Sequence, residues 1–171
     1  MQIKLIIVSI ERKWNNMAIL YVMCGVPGSG KSTWVKNNLT PFDKHVSRDD
    51  IRFSMIKEGE EYFSKEKKVF EQFCTDIIAG LNKGYNVYAD ATHINAGSRK
   101  KLLDQVHVYA DKIYCIEMPT PVSVALERNE DRKDQGLRYV PPSAIKRMYS
   151  QYEDPTYEEG FDEIYCAAGV C

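Results

Sequence analysis

Long hydrophobic runs, an excess of positive charge and cysteine pairs of C-x-x-C spacing are all missing from this sequence, and each absence argues against a class of protein. The 23 Lys and Arg residues are balanced by 24 Asp and Glu residues, which gives a net charge of −1. This balance argues against a protein that coats duplex nucleic acid through a broad basic face, although a small local phosphate site stays open. The apolar run from Leu5 to Ile10 is too short to span a membrane or to form the core of a signal peptide.

The five cysteines show no C-x-x-C pair and no other spacing that is typical of a zinc site. Three of them lie inside apolar runs, where a reduced cysteine behaves as a small hydrophobic residue. We therefore expect buried thiols in a reducing compartment. This predicts a cytoplasmic location (the host cytoplasm if the protein is viral) without a membrane partner.

The length of 171 residues suits one domain with a single core, and the sequence contains no repeat, low-complexity tract or interdomain linker. Met17 stands directly before the first convincing strand. We interpret residues 1–16 as an N-terminal extension that is disordered, loosely attached or not native, and residues 17–171 as the folded domain. Removal of residues 1–16 is expected to leave activity and thermal midpoint nearly unchanged.

Short apolar runs alternate with helical patterns along the chain, which predicts an α/β fold with a parallel sheet and helices on both faces. The predicted strands are 18–24, 45–47, 86–90, 112–118 and 163–167. The predicted helices are 31–39, 49–57, 64–83, 96–108, 121–132 and 142–151. Right-handed crossovers place the most apolar strand, 18–24, in the centre of a five-stranded sheet of order 2-3-1-4-5.

The motif GVPGSGKST follows the first strand and opens a helix, which is the context that a phosphate-binding P-loop requires. Its glycines allow successive backbone N–H groups to face phosphate oxygens, and the helix N-terminus adds partial positive charge. We predict that Lys31 reaches the β- and γ-phosphates of ATP and that the Ser32 hydroxyl binds Mg²⁺. The predicted ATP-binding residues of the loop are Gly25, Gly28, Ser29, Gly30, Lys31, Ser32 and Thr33.

The segment SRDDIR follows the second strand, so its charged side chains should lie at the same sheet edge as the P-loop. Asp49 is positioned to take a proton from an acceptor hydroxyl that attacks the γ-phosphate. Arg52 lies one helical turn further and can bind an anionic part of the acceptor. We expect Asp50 to cap the following helix.

Two further groups of polar residues are predicted at this cleft. Asp90 ends the third strand and could order Arg52 or a metal-bound water, whereas His93 is interpreted as a loop residue rather than a ligand, because no partner stands at ligand spacing. Arg128 and Arg132 are four residues apart, so they share one helix face in a cluster that predicts a lid over the transferring phosphoryl group. Gly136 would allow that lid to hinge.

The combination of these motifs resembles the 5′-hydroxyl polynucleotide kinase family, particularly the bacteriophage enzymes of nucleic-acid repair. The resemblance covers about residues 18–152 and rests on five segments in the same order: GVPGSGKSTW, SRDDIR, DAT, ERNEDR and VPPSAIKRMYSQY. It implies a P-loop kinase domain over residues 17–171 with an arginine-bearing lid. It also implies ATP and Mg²⁺ as cofactors and the 5′-OH end of single-stranded DNA or RNA as acceptor.

Carried onto this sequence, the resemblance implies a division of roles among the polar residues. The implied catalytic residues are Asp49 as general base, together with Lys31, Arg128 and Arg132 on the donor phosphates. The implied acceptor-binding residues are Arg52, Asp90 and Thr92. The phage enzyme has an Asn after its Asp-Thr pair, where this chain has DATH, and no D-x-D-G-T phosphatase motif occurs here.

Two other functions are compatible with the same motifs. One is a P-loop kinase of a small molecule or a nucleotide, whose phosphate could also use Arg52. The other is a non-catalytic ATP-binding module that controls a partner, which does not explain a base-like Asp49 at the end of the second strand.

Overall fold

The computed structural model of the protein describes residues 17–57, 59–136 and 139–167, so the predicted extension over residues 1–16 lies outside the described residues. The described chain forms one five-stranded parallel sheet of order β2-β3-β1-β4-β5. The predicted order, with the first strand central, is confirmed. The strands are β1 (Ile19–Cys24), β2 (Asp43–Ser47), β3 (Asn86–Asp90), β4 (Lys112–Glu117) and β5 (Glu163–Cys166).

Six α-helices of the described chain connect these strands, within a few residues of the bounds expected from the sequence. They are α1 (Lys31–Asn38), α2 (Arg48–Met55), α3 (Glu66–Asn82), α4 (Ala96–Val106), α5 (Val122–Asp134) and α6 (Pro142–Ser150). Short 3₁₀ helices lie at His107–Tyr109 and Tyr157–Glu159. None of the described helices is long and apolar enough to cross a membrane.

The central strand β1 is covered on both faces because alternate residues of a strand point to opposite sides. Leu20 and Val22 belong to the larger core cluster, which also contains Phe73 of α3 and Leu102 of α4. Met23 belongs to a smaller cluster on the other face, formed with residues of α1, β3 and β4. Helices therefore lie on both faces of the sheet, as predicted.

A third apolar cluster packs the P-loop against the last two helices. It contains Val26 of the loop, Ile94, Ala125 of α5 and Ile145 of α6. The helix that bears the predicted lid arginines is therefore part of the packed structure of this domain.

The start of α2 differs from the prediction in one respect. Ser47, the last residue of β2, is the N-cap, and its Oγ accepts a hydrogen bond of 3.2 Å from the backbone N–H of Asp50. Asp50 therefore stands in the first turn of the helix and is not its cap, so this prediction was wrong. A serine hydroxyl placed before the turn satisfies the free N–H groups of the helix start as well as a carboxylate does.

Candidate active site

The P-loop folds around the ammonium group of Lys31. Lys31 is the first residue of α1, and its Nζ donates hydrogen bonds to the carbonyl oxygens of Gly25 (2.8 Å) and Val26 (2.9 Å). The side chain is only 7% exposed. Burial lowers the pKa of Lys31, and the nearby carboxylates of Asp90 and Asp49 oppose that shift. The loop thus holds a poorly solvated cation whose charge a bound phosphate would neutralise.

The loop and helix α5 are in direct backbone contact. Gly28 has a φ of +86°, and a Cβ atom at this position would lie 2.5 Å from the carbonyl oxygen of Ala125. Only glycine fits both the left-handed backbone and the close approach. The contact fixes the position of α5 against the P-loop, and with it the position of the arginines that follow Ala125 along the helix.

The two predicted lid arginines lie on α5, which confirms that they share one helix. The Nη1 of Arg128 donates a hydrogen bond of 3.3 Å to the carbonyl oxygen of Gly28, so its guanidinium sits against the loop. Arg132 lies one turn further and lines the cleft, where its charge contributes to the lowered pKa of Lys31. Two cations of α5 are thereby placed on the P-loop side of the cleft.

Asn129 closes the loop after α5, and the sequence reasoning missed it. Its side chain is fully buried, donates to the carbonyl oxygen of Val140 (2.7 Å) and accepts from the N–H of the same residue (3.0 Å). The signal was available, since Asn129 stands four residues after the buried Ala125 and therefore on the inner face of the helix.

Asp90 is bound to the P-loop side of the cleft. Its Oδ2 accepts a hydrogen bond of 2.6 Å from Ser32 Oγ and lies 2.9 Å from Nε2 of His45. Burial by itself raises the pKa of Asp90, but the His45 contact, the charge of Lys31 and the Ser32 hydroxyl outweigh it and hold the pKa below its usual range. Asp90 is therefore an ionised carboxylate next to the hydroxyl that is predicted to bind magnesium.

Asp49 and Arg52 face each other across one turn of α2. Nη1 of Arg52 bonds to Oδ1 of Asp49, and the Tyr62 hydroxyl donates to the same oxygen at 3.0 Å. Burial, followed by the negative charge of Asp49, raises the pKa of Tyr62 to about 12, so this hydroxyl keeps its proton. Both bonds meet Oδ1, and no described residue bonds to Oδ2. The side chain of Asp49 is 56% exposed, so Oδ2 is open to accept a proton.

Glu66, the first residue of α3, holds the other side of the Arg52 guanidinium. Its Oε2 accepts from Nη2 at 2.8 Å and from Nε at 3.3 Å, and its Oε1 accepts from Arg48. With the bonds to Asp49 and Tyr62, four of the five N–H donors of Arg52 are used. Arg52 is thus a buried cation fixed by its neighbours, with one N–H donor that no described residue accepts.

These contacts decide between the two roles considered for Asp90. Among the residues that the structure describes, Arg52 is bound by Asp49, Tyr62 and Glu66, whereas Asp90 is bound by Ser32 and His45. The expectation that Asp90 orders Arg52 was therefore wrong. Its role toward a metal-bound water stays a prediction.

One cleft of about 490 Å³ lies at the carboxyl ends of β1, β2 and β3. Most of the predicted site residues line it: Gly28, Gly30, Lys31, Ser32, Thr33, Asp49, Arg52, Asp90, Thr92 and Arg132. The remaining three, Gly25, Ser29 and Arg128, lie in or against the loop itself. The backbone N–H of Gly25 donates to the carbonyl oxygen of Thr92 at 2.9 Å, which joins the loop to the end of β3.

His93 follows β3 in a loop, as predicted, but it is 2% exposed and not a surface residue. Its Nδ1 lies 2.9 Å from the carbonyl oxygen of Met23, and its buried Nε2 has no partner among the described residues. Burial, which disfavours the charged ring, lowers the pKa of His93 to about 4. It is a neutral structural residue behind the cleft at neutral pH.

The part of the chain that the structure describes has no cluster of three or more His, Cys, Asp or Glu residues that could hold a metal. A hydroxyl beside an ionised carboxylate, as in Ser32 and Asp90, is instead the kind of oxygen-donor pair that suits Mg²⁺. These residues fit a magnesium ion that is held jointly with nucleotide phosphates.

Comparison with known proteins agrees with this geometry. The chain is 26% identical over 147 residues to the bifunctional polynucleotide phosphatase/kinase of Schizosaccharomyces pombe, with 85% of this chain and 32% of that protein covered. A solved structure described as the Pnkp1/Rnl/Hen1 RNA repair complex has a TM-score of 0.70 at 28% identity, over 79% of this chain and 44% of that one. The resemblance predicted from the motifs is confirmed by these relatives.

The likeness extends at the level of the fold to Kti12 of Chaetomium thermophilum, solved in complex with ADP-AlF3. That structure has a TM-score of 0.64 at 16% identity and is covered over 87% of its length. The chain spans only a fifth to a third of the curated relatives it matches. A family model described as an AAA domain matches residues 20–155. With its P-loop at the centre of the sheet, the chain belongs to this AAA-domain family of P-loop proteins.

Proposed function

We propose that the protein is an ATP-dependent polynucleotide 5′-hydroxyl kinase, which transfers the γ-phosphoryl group of ATP to the 5′-OH end of single-stranded DNA or RNA in nucleic-acid repair. The observation that carries the proposal is the half-exposed carboxylate of Asp49, which shares one cleft with the P-loop and is bonded to a buried arginine. A nucleotide-binding module has no use for a base in this place.

On the donor side, the chain provides a ring of cations for the phosphates of ATP. Lys31 would exchange its bonds to the loop carbonyls for bonds to the β- and γ-phosphates. Arg128 and Arg132 of α5 lie on the same side and would stabilise the negative charge of the transferring group. The left-handed backbone at Gly28 and Gly30 would turn N–H groups of the loop toward the phosphates.

Ser32 and Asp90 would hold Mg²⁺, which supplies charge neutralisation of the donor phosphates when it is bound. The hydrogen bond between them orients the Ser32 hydroxyl, and His45 holds Asp90 in place from the neighbouring strand. The chain thus fixes its metal-facing oxygen before any ligand arrives.

On the acceptor side, Asp49 would take the proton of the attacking 5′-hydroxyl at its Oδ2. Arg52 would direct the N–H donor that no described residue accepts to the phosphate that follows the terminal nucleoside. Glu66 and Tyr62 prevent Arg52 and Asp49 from reorienting. Positioning and electrostatics would therefore supply the rate without a covalent intermediate.

The relatives support the choice of acceptor, since the matched fission-yeast protein is named a polynucleotide phosphatase/kinase. The test is incubation of the full chain with γ-labelled ATP and four acceptors: 5′-OH DNA, 5′-OH RNA, nucleoside 3′-monophosphates and nucleoside 5′-monophosphates. Label is expected on the 5′-OH polynucleotides. Label only on nucleoside 5′-monophosphates would reassign the protein as a nucleotide kinase, and ATP binding without any transfer would indicate a binding module.

A further inference from the structure

Three aromatic side chains cover the wall of the cleft beside Arg52. Phe53 belongs to α2, whereas Tyr62 and Phe63 precede α3, and all three line the cleft. Tyr62 meets Phe53 at a ring-centroid distance of 5.7 Å and Phe63 at 4.7 Å, in both cases edge to face. We call these three residues the aromatic wall.

The two phenylalanines of the aromatic wall are exposed to solvent and are not part of the hydrophobic core. Phe53 is 40% exposed and Phe63 is 58% exposed, although both are among the most apolar residue types. Exposed aromatic rings that line a concave site are a frequent feature of ligand-binding surfaces. The wall therefore has accessible ring surface facing a place where a ligand is expected.

The chemistry around the wall matches a single-stranded nucleotide. The Arg52 guanidinium lies 4.6 Å from the ring centroid of Tyr62 and 5.4 Å from that of Phe63. An arginine for a phosphate next to aromatic rings for a base is the combination by which proteins bind unpaired nucleotides. A small aliphatic acceptor has no flat π-face to stack on the exposed ring of Phe63.

The position of the wall distinguishes the acceptor from the donor. In an in-line transfer, the attacking and leaving oxygens lie on opposite sides of the γ-phosphate. Tyr62 bonds directly to Asp49, the proposed base, so the wall lies on the attacking side. The leaving oxygen belongs to the β-phosphate of the departing ADP, so it would lie on the other side, at the P-loop against which Arg128 stands.

We propose that Phe63, the more exposed phenylalanine of the aromatic wall, stacks against the nucleobase of the 5′-terminal nucleotide of the acceptor. This inference rests on the proposed function and adds a requirement to it: the terminal nucleotide must carry a base. An acceptor with an abasic 5′-terminal residue would keep its hydroxyl and its phosphate but lose the stack. Discrimination against it should be roughly 5- to 150-fold in KM, the worth of one base–aromatic stack.

The first experiment measures KM for two oligonucleotides that differ only at the 5′-terminal residue, adenosine or abasic, with the full chain and saturating MgATP. The wild type should prefer the adenosine end by that factor, and Phe63→Leu should bring the preference close to one. Tyr157→Leu is the matched control, because Tyr157 is 59% exposed but lies outside the cleft. If Phe63→Leu acted only by disturbing Arg52, it would raise KM equally for the adenosine and the abasic oligonucleotide. The preference would then stay unchanged, and that result would overturn the proposal.

The second experiment reads stacking without any transfer. A 5′-OH oligonucleotide with 2-aminopurine at its terminal position should lose fluorescence on binding to the wild type and to Tyr157→Leu, but much less on binding to Phe63→Leu at saturating protein. Equal quenching by Phe63→Leu would overturn the stack even if the protein phosphorylates the oligonucleotide. A raised KM for ATP in Phe63→Leu with an unchanged acceptor preference would assign the ring to the donor and also overturn it. Failure to label any 5′-OH end would instead refute the proposed function, and the quenching result would still stand.

Discussion

Replacement of Asp49 by Asn tests the centre of the proposed reaction, because it keeps the size of the side chain and removes its ability to accept a proton. The contacts from Arg52 and Tyr62 both meet Oδ1 of Asp49. The amide oxygen of Asn can accept the same two hydrogen bonds. The geometry of the site should therefore survive while the proposed base is lost.

Asp49→Asn should have a large effect on the rate of transfer and a small effect on stability. A positioned base contributes about 10²–10⁴-fold to the rate, so transfer should fall by roughly that factor. The Asp49 carboxylate is 56% exposed, and Arg52 keeps its bonds to Glu66. Because the carboxylate is half-exposed and Arg52 stays paired with Glu66, loss of its charge costs about 1 kcal/mol or less, which corresponds to a shift of roughly 2–4 °C in Tm at most.

The assay is single-turnover transfer from γ-labelled ATP to a 5′-OH oligonucleotide, together with ATP titration and thermal unfolding. Asp50→Asn is the matched control, since it removes the same charge from the adjacent exposed position of the same helical turn. ATP binding should be retained in both variants. The reasoning is refuted if Asp49→Asn keeps more than about a tenth of the wild-type rate, or if Asp50→Asn loses as much.

Three other predictions concern the rest of the cleft and the buried residues behind it. Lys31→Ala should weaken both ATP binding and transfer, whereas Arg52→Ala should raise KM for the oligonucleotide with little change in KM for ATP. Steady-state kinetics with each substrate varied in turn measure both constants. A raised KM for ATP in Arg52→Ala, with an unchanged KM for the oligonucleotide, would contradict the prediction. The pKa of His93 is about 4 when folded, against 6.5 for an unperturbed ring, so the unfolded chain binds the extra proton and stability falls as the pH drops from about 6.5 to 4. Between these pH values the free energy of unfolding, measured with urea, should fall by about 3 kcal/mol more in the wild type than in His93→Asn. The same pH dependence in both proteins would refute the low pKa of His93. Arg99 is fully buried and bonds to Glu159 at 2.7 and 2.8 Å. Arg99→Met should therefore lower the free energy of unfolding in urea by about 3–5 kcal/mol, whereas Lys100→Met, at a 72% exposed position, should lower it little. Equal losses in the two variants would contradict a stabilising buried ion pair.

Local patterns were sufficient for the sheet, its order and the edge at which the polar residues gather. The apolar run of β1 followed by the P-loop motif predicts a central buried strand, because a strand covered on both faces needs apolar residues in succession. The positions of Asp49 and Asp90 at one edge follow from the same logic, since parallel strands end on the same side. These conclusions depend on residues that are close in sequence.

The partners of those residues were decided only by the tertiary structure. Glu66 lies fourteen positions after Arg52, and His45 lies forty-five positions before Asp90, so no spacing rule connects them. Even Ser47 was missed as the cap, because Asp50 is an equally suitable residue by type and only the backbone at the end of β2 selects the serine. The sequence by itself indicated most of the charged side chains that line the cleft. The packing of α3 against α2 and of β2 against β3 brought Glu66 and His45 there and decided which side chains are bonded to one another. Hydrogen bonds of this kind require side-chain atoms to meet within about 3 Å, and that proximity is set by the relative placement of whole elements.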